Sequence, residues 1–172
     1  MKKIIFLIVK IFLILPFKIG KHRLYMAVYY RILKLIGLNF EGIPRYIGYN
    51  VKFDNPKLIY LGPNIVISDE CVLLTHDYSL TTVLRYKNKY EGKDIAVLRK
   101  IIIGKNCFIG KRTIIMPNTI IGDNCIIGAG SVVRGNVENG SILIGNPAIK
   151  TMNIDELDQK WTNIKEDLIR KD

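Results

Sequence analysis

His22, His76, Cys71, Cys107 and Cys125 are the residues of this chain best suited to acid–base or nucleophilic chemistry near neutral pH. His76 stands in the run Leu74-Thr75-His76-Asp77-Tyr78-Ser79, where an imidazole could take up a proton and return it. Asp77 is placed either to orient that ring or to cap the turn that follows. His22 lies between Lys21 and Arg23 and reads as an interfacial residue. Two histidines in unrelated segments leave too few ligands for a multi-histidine metal centre, so no metal is expected. Three cysteines cannot all pair with one another, so no disulfide framework holds the fold.

An imidazole in a loop does nothing useful unless a rigid element presents it. From residue 103 the chain reads IGKNCF, IGKRTI, IMPNTI, IGDNCI, IGAGSV, VRGNVE. Ile103, Ile109, Ile115, Ile121, Ile127 and Val133 recur in steps of six, and four places later stand Cys107, Thr113, Thr119, Cys125, Ser131 and Val137. Leu61, Ile67 and Leu73 keep the same phase, while Ile47-Gly48 and Phe53-Asp54 precede them after a two-residue offset. A six-residue unit is too short for a helical repeat; it fits a short strand and a tight corner, with Gly or Asn supplying positive φ. Successive strands then wind into a solenoid with one large and one small residue inward per face. All three cysteines occupy the small inward position and read as inert filler. Between Leu73 and Ile101 the repeat disappears, and residues 77–100 are expected to project from one corner as a loop, with His76 at its root.

The repeat over residues 45–150, sharpest in IGDNCIIGAGSVV and closed by GNPA at 145–148, resembles the hexapeptide-repeat acyltransferases. The likeness is greatest to the sugar and polysaccharide O-acetyltransferases, whose His-Asp-Tyr-like motif before a loop is matched by His76-Asp77-Tyr78. The chain departs from that pattern at Ile115-Met116-Pro117-Asn118 and at Cys107-Phe108. The resemblance implies a mainly β fold, the left-handed parallel β-helix. It also implies acetyl-CoA as co-substrate, held between coils of a homotrimer, and a sugar or glycan acceptor. His76 becomes the general base that takes the acceptor proton as the hydroxyl attacks the thioester, with a backbone N–H on the oxyanion. The pantetheine wall maps onto Gly110-Lys111 and Gly128-Ala129, the phosphates onto Arg134 and Lys150, and the adenine onto Pro147. Tyr78, Arg85, Tyr86 and Tyr90 are candidates for the acceptor sugar, chosen from the composition of the loop.

The chain has 172 residues and a net charge of +11, from 26 basic and 15 acidic side chains. Eight of the basic residues lie in residues 1–40, which contain no acid; the other 132 residues carry a net +3. The early segment is also apolar, with a run from Ile4 to Phe17 broken only by Lys10, too short to span a bilayer. Pro16 and Gly20 are expected to separate two helices and Gly37 to stop the second. The organisation expected is therefore a basic helical segment at 1–42, a β-helix at 43–150 and an amphipathic helix at 151–172. The first would lie on an anionic membrane or pack on a neighbouring subunit. The last has Asn153 and Glu156 as a capping box and Ile154, Leu157, Trp161, Ile164 and Leu168 as its apolar face. No nucleic-acid motif is present.

The leading expectation is an O-acetyltransferase acting on a sugar, glycan or lipid-linked precursor. Its expected setting is cytoplasmic, peripheral at the inner face of a bacterial membrane. N-acetylation of a nucleotide-linked amino sugar uses the same base, and a non-catalytic assembly or tethering solenoid is the alternative of another class. Metal-dependent carbonic anhydrases on this fold need three histidines per site, and sugar nucleotidyltransferases need a large preceding domain for which forty residues leave no room.

Overall fold

A computed structural model describes residues 22–162, with the side chains of His22 and Arg23 outside the description. The hexads fold in the phase in which they are written. Ile103, Ile109, Ile115, Ile121, Ile127 and Val133 are at most 1% exposed, and each ends a strand of two or three residues. Strands pair in parallel with those three hexads away. Leu61, Ile103, Ile121 and Val137 stack on one face; Ile47, Ile67, Ile109 and Ile127 on a second; Phe53, Leu73, Ile115 and Val133 on the third. The result is the mainly β, left-handed parallel β-helix that the repeat and its resemblance imply.

The corners hold two physical surprises. Positive φ falls not on the glycine after each aliphatic residue but two residues later, on Asn64, Asn106 and Asn124 at one corner (φ 58°, 55° and 56°) and on Glu70 and Arg112 at the next (63° and 61°). Glycine is needed earlier because the neighbouring coil is so close: a Cβ on Gly110 would lie 2.5 Å from the Ala129 nitrogen and 2.8 Å from the Gly128 carbonyl carbon. The small inward position is likewise more than small. Cys71, Cys107 and Cys125 donate through Sγ to the carbonyls of Gly110, Gly122 and Glu138 at 3.0–3.1 Å, and Thr113 donates to Gly110 at 2.7 Å. Each ties a carbonyl at a corner of the coil, and the Gly110 carbonyl accepts from both Cys71 and Thr113. Burial pushes the Cys71 thiol up to about 11, which keeps it protonated at neutral pH.

Helix α1 (His22–Leu35) lies across the first coil. Tyr25, Tyr29 and Leu33 are fully buried in the same apolar cluster as Ile47 and Ile59, and the Tyr25 hydroxyl donates to the Ile47 carbonyl at 2.8 Å. Burial pushes the Tyr25 phenol far above its ordinary value. Residues 1–42 are expected as a basic helical segment on a membrane surface or a neighbouring subunit; the inner face of its described helix packs on its own chain. The first coil already begins with the strand Asn39–Phe40, and α1 caps the open end of its own solenoid. Gly37 ends the helix at φ 106°, as expected. The earlier helix expected over Ile4–Phe17 lies outside the described residues. Among the described residues no helix is long and apolar enough to cross a membrane.

At the far end the strands Ser141–Gly145 and Ala148–Asn153 form an antiparallel hairpin, and the last described helix (Ile154–Trp161) follows. The expected capping box is present, with the Glu156 N–H donating to the Asn153 side chain at 2.9 Å. Trp161 is 58% exposed and no residue of that helix is buried within the chain. Ile164 and Leu168 lie outside the described residues.

Candidate active site

The two-residue offset in the early hexads is taken up at one corner by the tight 3-10 turn Pro56–Leu58, capped by the Asn55 side chain. Asp54, the residue after Phe53, stands just before that turn, at the corner from which the interruption also departs. Phe53 pairs with Leu73, so Asp54 of the first coil sits beside Leu74-Thr75-His76 of the second. One carboxylate oxygen, Oδ2, accepts three hydrogen bonds: from the Thr75 N–H at 3.0 Å, from the Thr75 hydroxyl at 2.8 Å and from His76 Nδ1. Thr75 is fully buried, and its hydroxyl accepts from the Asn55 N–H at 3.0 Å. The ring is thus held by the solenoid rather than by the loop.

Electrostatics fix the tautomer. Burial pushes the Asp54 pKa up, but the Thr75 N–H and hydroxyl and the His76 ring outweigh it and leave the carboxyl below its ordinary range. Asp54 is therefore ionised at neutral pH and can only accept. His76 Nδ1 must carry the proton between them, and the Nε2 lone pair is left available. The His76 side chain keeps 38% of its surface and that of Asp54 22%, so a substrate can reach the ring.

Asp77 does not hold the ring. Its Oδ1 accepts from the Ser79 N–H at 2.8 Å and starts helix α2 (Ser79–Tyr86). The Ser79 backbone and hydroxyl, with Arg134 and His76 adding, hold the Asp77 carboxyl below its ordinary range. Of the two roles open to Asp77, the capping one is the one observed. The interruption 77–100 is also more ordered than a bare loop. His76–Asp77 pairs antiparallel with Val97–Leu98, and Thr81 on α2 exchanges hydrogen bonds with the Ile95 backbone.

The other expected residues divide into three groups. Tyr78 meets the His76 ring edge-on, with centroids 5.4 Å apart. Arg85 and Tyr90 are turned to each other: the guanidinium lies 3.7 Å over the phenol ring, Arg85 pairs with Asp94 at 3.6 Å, and the Tyr90 hydroxyl donates to the same carboxylate. They brace the loop. Tyr86 is 79% exposed and makes its ring contact with Lys87. A hollow of about 710 Å³ lies against this outer part of the loop, lined by Leu84, Lys89, Asp94 and Ile95 among others, with no histidine in its lining.

The cleft that matters is the smaller one, about 360 Å³, between the root of the loop and the next two coils. Asp77, Val97, Arg99, Met116, Pro117, Asn118, Arg134 and Gly135 line it. Arg99 and Arg134 have no carboxylate within ion-pair distance among the described residues, although Arg134 acts on the Asp77 carboxylate from further off, so two guanidiniums and one carboxylate line the cleft. By contrast Lys111 pairs with Glu70 at 3.4 Å and Lys150 with Glu138 at 3.2 Å. Gly110-Lys111 and Gly128-Ala129 stand at the corner between the second and third faces, whereas His76 and Arg134 stand at the corner between the third and the first. One chain does not bring these two groups together. Pro147 is at the tip of the terminal hairpin, after a cis peptide bond with Asn146.

Sequence reasoning missed Asp54 and Arg99. The signal for Asp54 was its register: it follows Phe53 as Leu74 follows Leu73, so stacking the coils places it at the corner where the interruption begins. Arg99 had a weaker signal, as the residue at which the interruption returns to the coil, where its N–H donates to the Thr75 carbonyl at 2.8 Å.

Residues 100–135 match the model of the bacterial transferase hexapeptide family, six repeats. No match is found among curated protein sequences. Among solved structures, a maltose O-acetyltransferase from Clostridium difficile 630 is similar at 24% identity and TM-score 0.57, over 72% of this chain and 73% of the other. A hexapeptide-repeat acetyltransferase from Vibrio cholerae O1 biovar eltor, complexed with acetyl coenzyme A, is similar at 19% identity and TM-score 0.55, over 74% and 77%. The polySia-specific acetyltransferase NeuO is similar at 23% identity and TM-score 0.52, over 67% of this chain and 53% of that one. Residues 100–135 are thus bacterial transferase hexapeptide repeats, and the chain that carries them has the left-handed β-helix fold of the hexapeptide-repeat acyltransferases.

Proposed function

We propose that this protein is an acetyl-CoA-dependent O-acetyltransferase acting on a hydroxyl of a sugar or glycan, with His76 as general base and Asp54 as its positioning residue. The observation that carries the reading is the Asp54–His76 pair, which places the ring proton on Nδ1 and leaves the Nε2 lone pair free on a side chain that is 38% exposed, next in the chain to Asp77, which lines a cleft with two arginines. Nε2 takes the proton of the acceptor hydroxyl as its oxygen attacks the thioester carbonyl. Asp54 stabilises the imidazolium that forms. When the carbon–sulfur bond breaks, His76 returns the proton to the leaving thiolate, so an ester and a free thiol result and the ring is restored.

The donor set fits a phosphate-bearing thioester: Arg99 and Arg134 supply planar guanidiniums of the kind that bind phosphate oxygens. The likeness to an acetyltransferase complexed with acetyl coenzyme A supports the donor, and the likeness to maltose and polySia acetyltransferases supports a sugar acceptor. Gly110 and Gly128, which the resemblance assigns to the pantetheine wall, face another corner; a homotrimer would bring that corner of one subunit to the His76 corner of the next. The test is acceptor-dependent thiol release from acetyl-CoA across a panel of nucleotide sugars, lipid-linked sugars and oligosaccharides. His76→Ala should abolish it in a folded protein, and equal rates for the variant and the native chain would remove the base assignment.

A further inference from the structure

The face of α1 opposite the core is left open, and its composition is not that of an ordinary solvated helix. Tyr25, Met26, Tyr29 and Leu33 point into the solenoid. Leu24, Val28, Arg31 and Leu35 recur at spacings of four, three and four, and so line the opposite side. Leu24 is 53% exposed, Val28 36% and Leu35 75%; Ile43, just beyond, is 69% exposed. Ala27, Arg31 and Lys34 are exposed between or beside them. The helix is 14 residues long, about 21 Å.

Charge identifies the occupant. No carboxylate occurs before Glu41, and the preceding residues add Lys2, Lys3, Lys10, Lys18 and Lys21. A second copy of the chain presenting the same stripe would set cation against cation. An anionic leaflet would accept both the aliphatic side chains and the arginine and lysine around them.

We infer that the outward face of α1, with Leu24, Val28, Arg31, Lys34 and Leu35, is a docking surface for an anionic phospholipid leaflet. Because α1 closes the first-coil end of the solenoid, docking turns that end toward the membrane. Asp54 lies in the first coil and His76 in the second, and neighbouring coils are separated by about 4.8 Å. The base is then carried near the headgroups, where a lipid-linked acceptor would present its sugar. That last step rests on the acetyltransferase reading; the docking itself does not.

The experiment uses the full chain and needs no acetyl-CoA. Because Cys71, Cys107 and Cys125 are buried, an environment-sensitive maleimide dye can be placed selectively on Leu35→Cys, or on Asp155→Cys at the far end. Vesicles of phosphatidylglycerol should shift the dye at position 35 and not at position 155, and vesicles of phosphatidylcholine should shift neither. In co-sedimentation, Leu24→Ser/Val28→Ser/Leu35→Ser should lower partitioning onto phosphatidylglycerol at least about tenfold. Arg31→Glu/Lys34→Glu should lower it by at least about fivefold per residue. Circular dichroism is expected to stay native in both, since neither set touches the core. A dye shift at position 155 alone, or native binding by the triple variant, overturns the proposal. So does a change in oligomeric state of the triple variant with vesicle binding intact, which would assign the stripe to a second copy of the chain.

Discussion

Replacing Asp54 by Asn tests whether the sequence-remote carboxylate, rather than the adjacent Asp77, sets up the base. The substitution keeps size and an acceptor for the Thr75 N–H but removes the charge opposite His76 Nδ1. A hydrogen bond to a charged group contributes roughly 1.5–3 kcal/mol, and each 1.36 kcal/mol is about tenfold in rate. With 38% and 22% of the two side chains exposed, water screens part of that, and the lower end applies: kcat should fall about ten- to thirtyfold. The acetyl-CoA KM should stay within about twofold, because Asp54 touches the base and not the donor. Stability supplies a separate readout. The folded Asp54 pKa lies below the unfolded value of about 3.9, so its stabilisation is complete above that value and is lost as pH falls through the folded pKa. The gap in urea midpoint between the native chain and Asp54→Asn should therefore be open at pH 7 and close below about pH 4. Thiol release by Asp54→Asn at the native kcat, with His76→Ala inactive, would refute the positioning role.

Asp77→Ala should change kcat by less than about threefold while speeding amide exchange over Ser79–Tyr86, because this carboxylate opens α2 and not the reaction. Gly110→Ala should lower stability by roughly 1–3 kcal/mol, read by urea melts, since its Cβ would strike the Ala129 backbone with or without donor present. Arg99→Ala and Arg134→Ala should each raise the acetyl-CoA KM by about tenfold, with kcat nearly constant in steady-state assays. Leu24→Ser/Val28→Ser/Leu35→Ser should slow turnover of a lipid-linked acceptor in phosphatidylglycerol vesicles at least about tenfold and leave turnover of a soluble acceptor unchanged.

The solenoid was legible because period six repeats one physical requirement many times, and Ile103 to Val133 are the residues on which that requirement falls. The corners were legible only in part. Glycine after the aliphatic residue suggested turn chemistry, but at Gly110 the cause is contact between coils three hexads apart, which a linear reading does not display. The same blindness hid Asp54, which is 22 residues from His76 and meets it only once coils are stacked. A three-hexad register contains a usable clue. The residue after the aliphatic one is glycine at most positions of two corners (Gly48, Gly62, Gly104, Gly110, Gly122 and Gly128, with Ser68 and Glu138 among the exceptions), and Asp54, Leu74, Met116 or Arg134 at the third. The corner that gives up glycine is the corner that carries the base, its partner and the cationic cleft.

The same logic explains why the basic, apolar start of the chain invited too simple a reading. An apolar helix rich in lysine and tyrosine looks like a membrane element all round, yet Tyr25 and Tyr29 are spent on the inside, one of them held by the Ile47 carbonyl. A solenoid has two open ends whose core residues and strand termini must be covered, and α1 does this at the first coil. Only the residues left over on its outer side are available to a partner, and those are the ones with the exposed Leu24, Val28, Arg31 and Leu35. The helix is therefore shared between stability and location. A substitution on its inner face would unfold the end of the coil that carries Asp54, whereas one on its outer face would leave the base intact and change where the enzyme works.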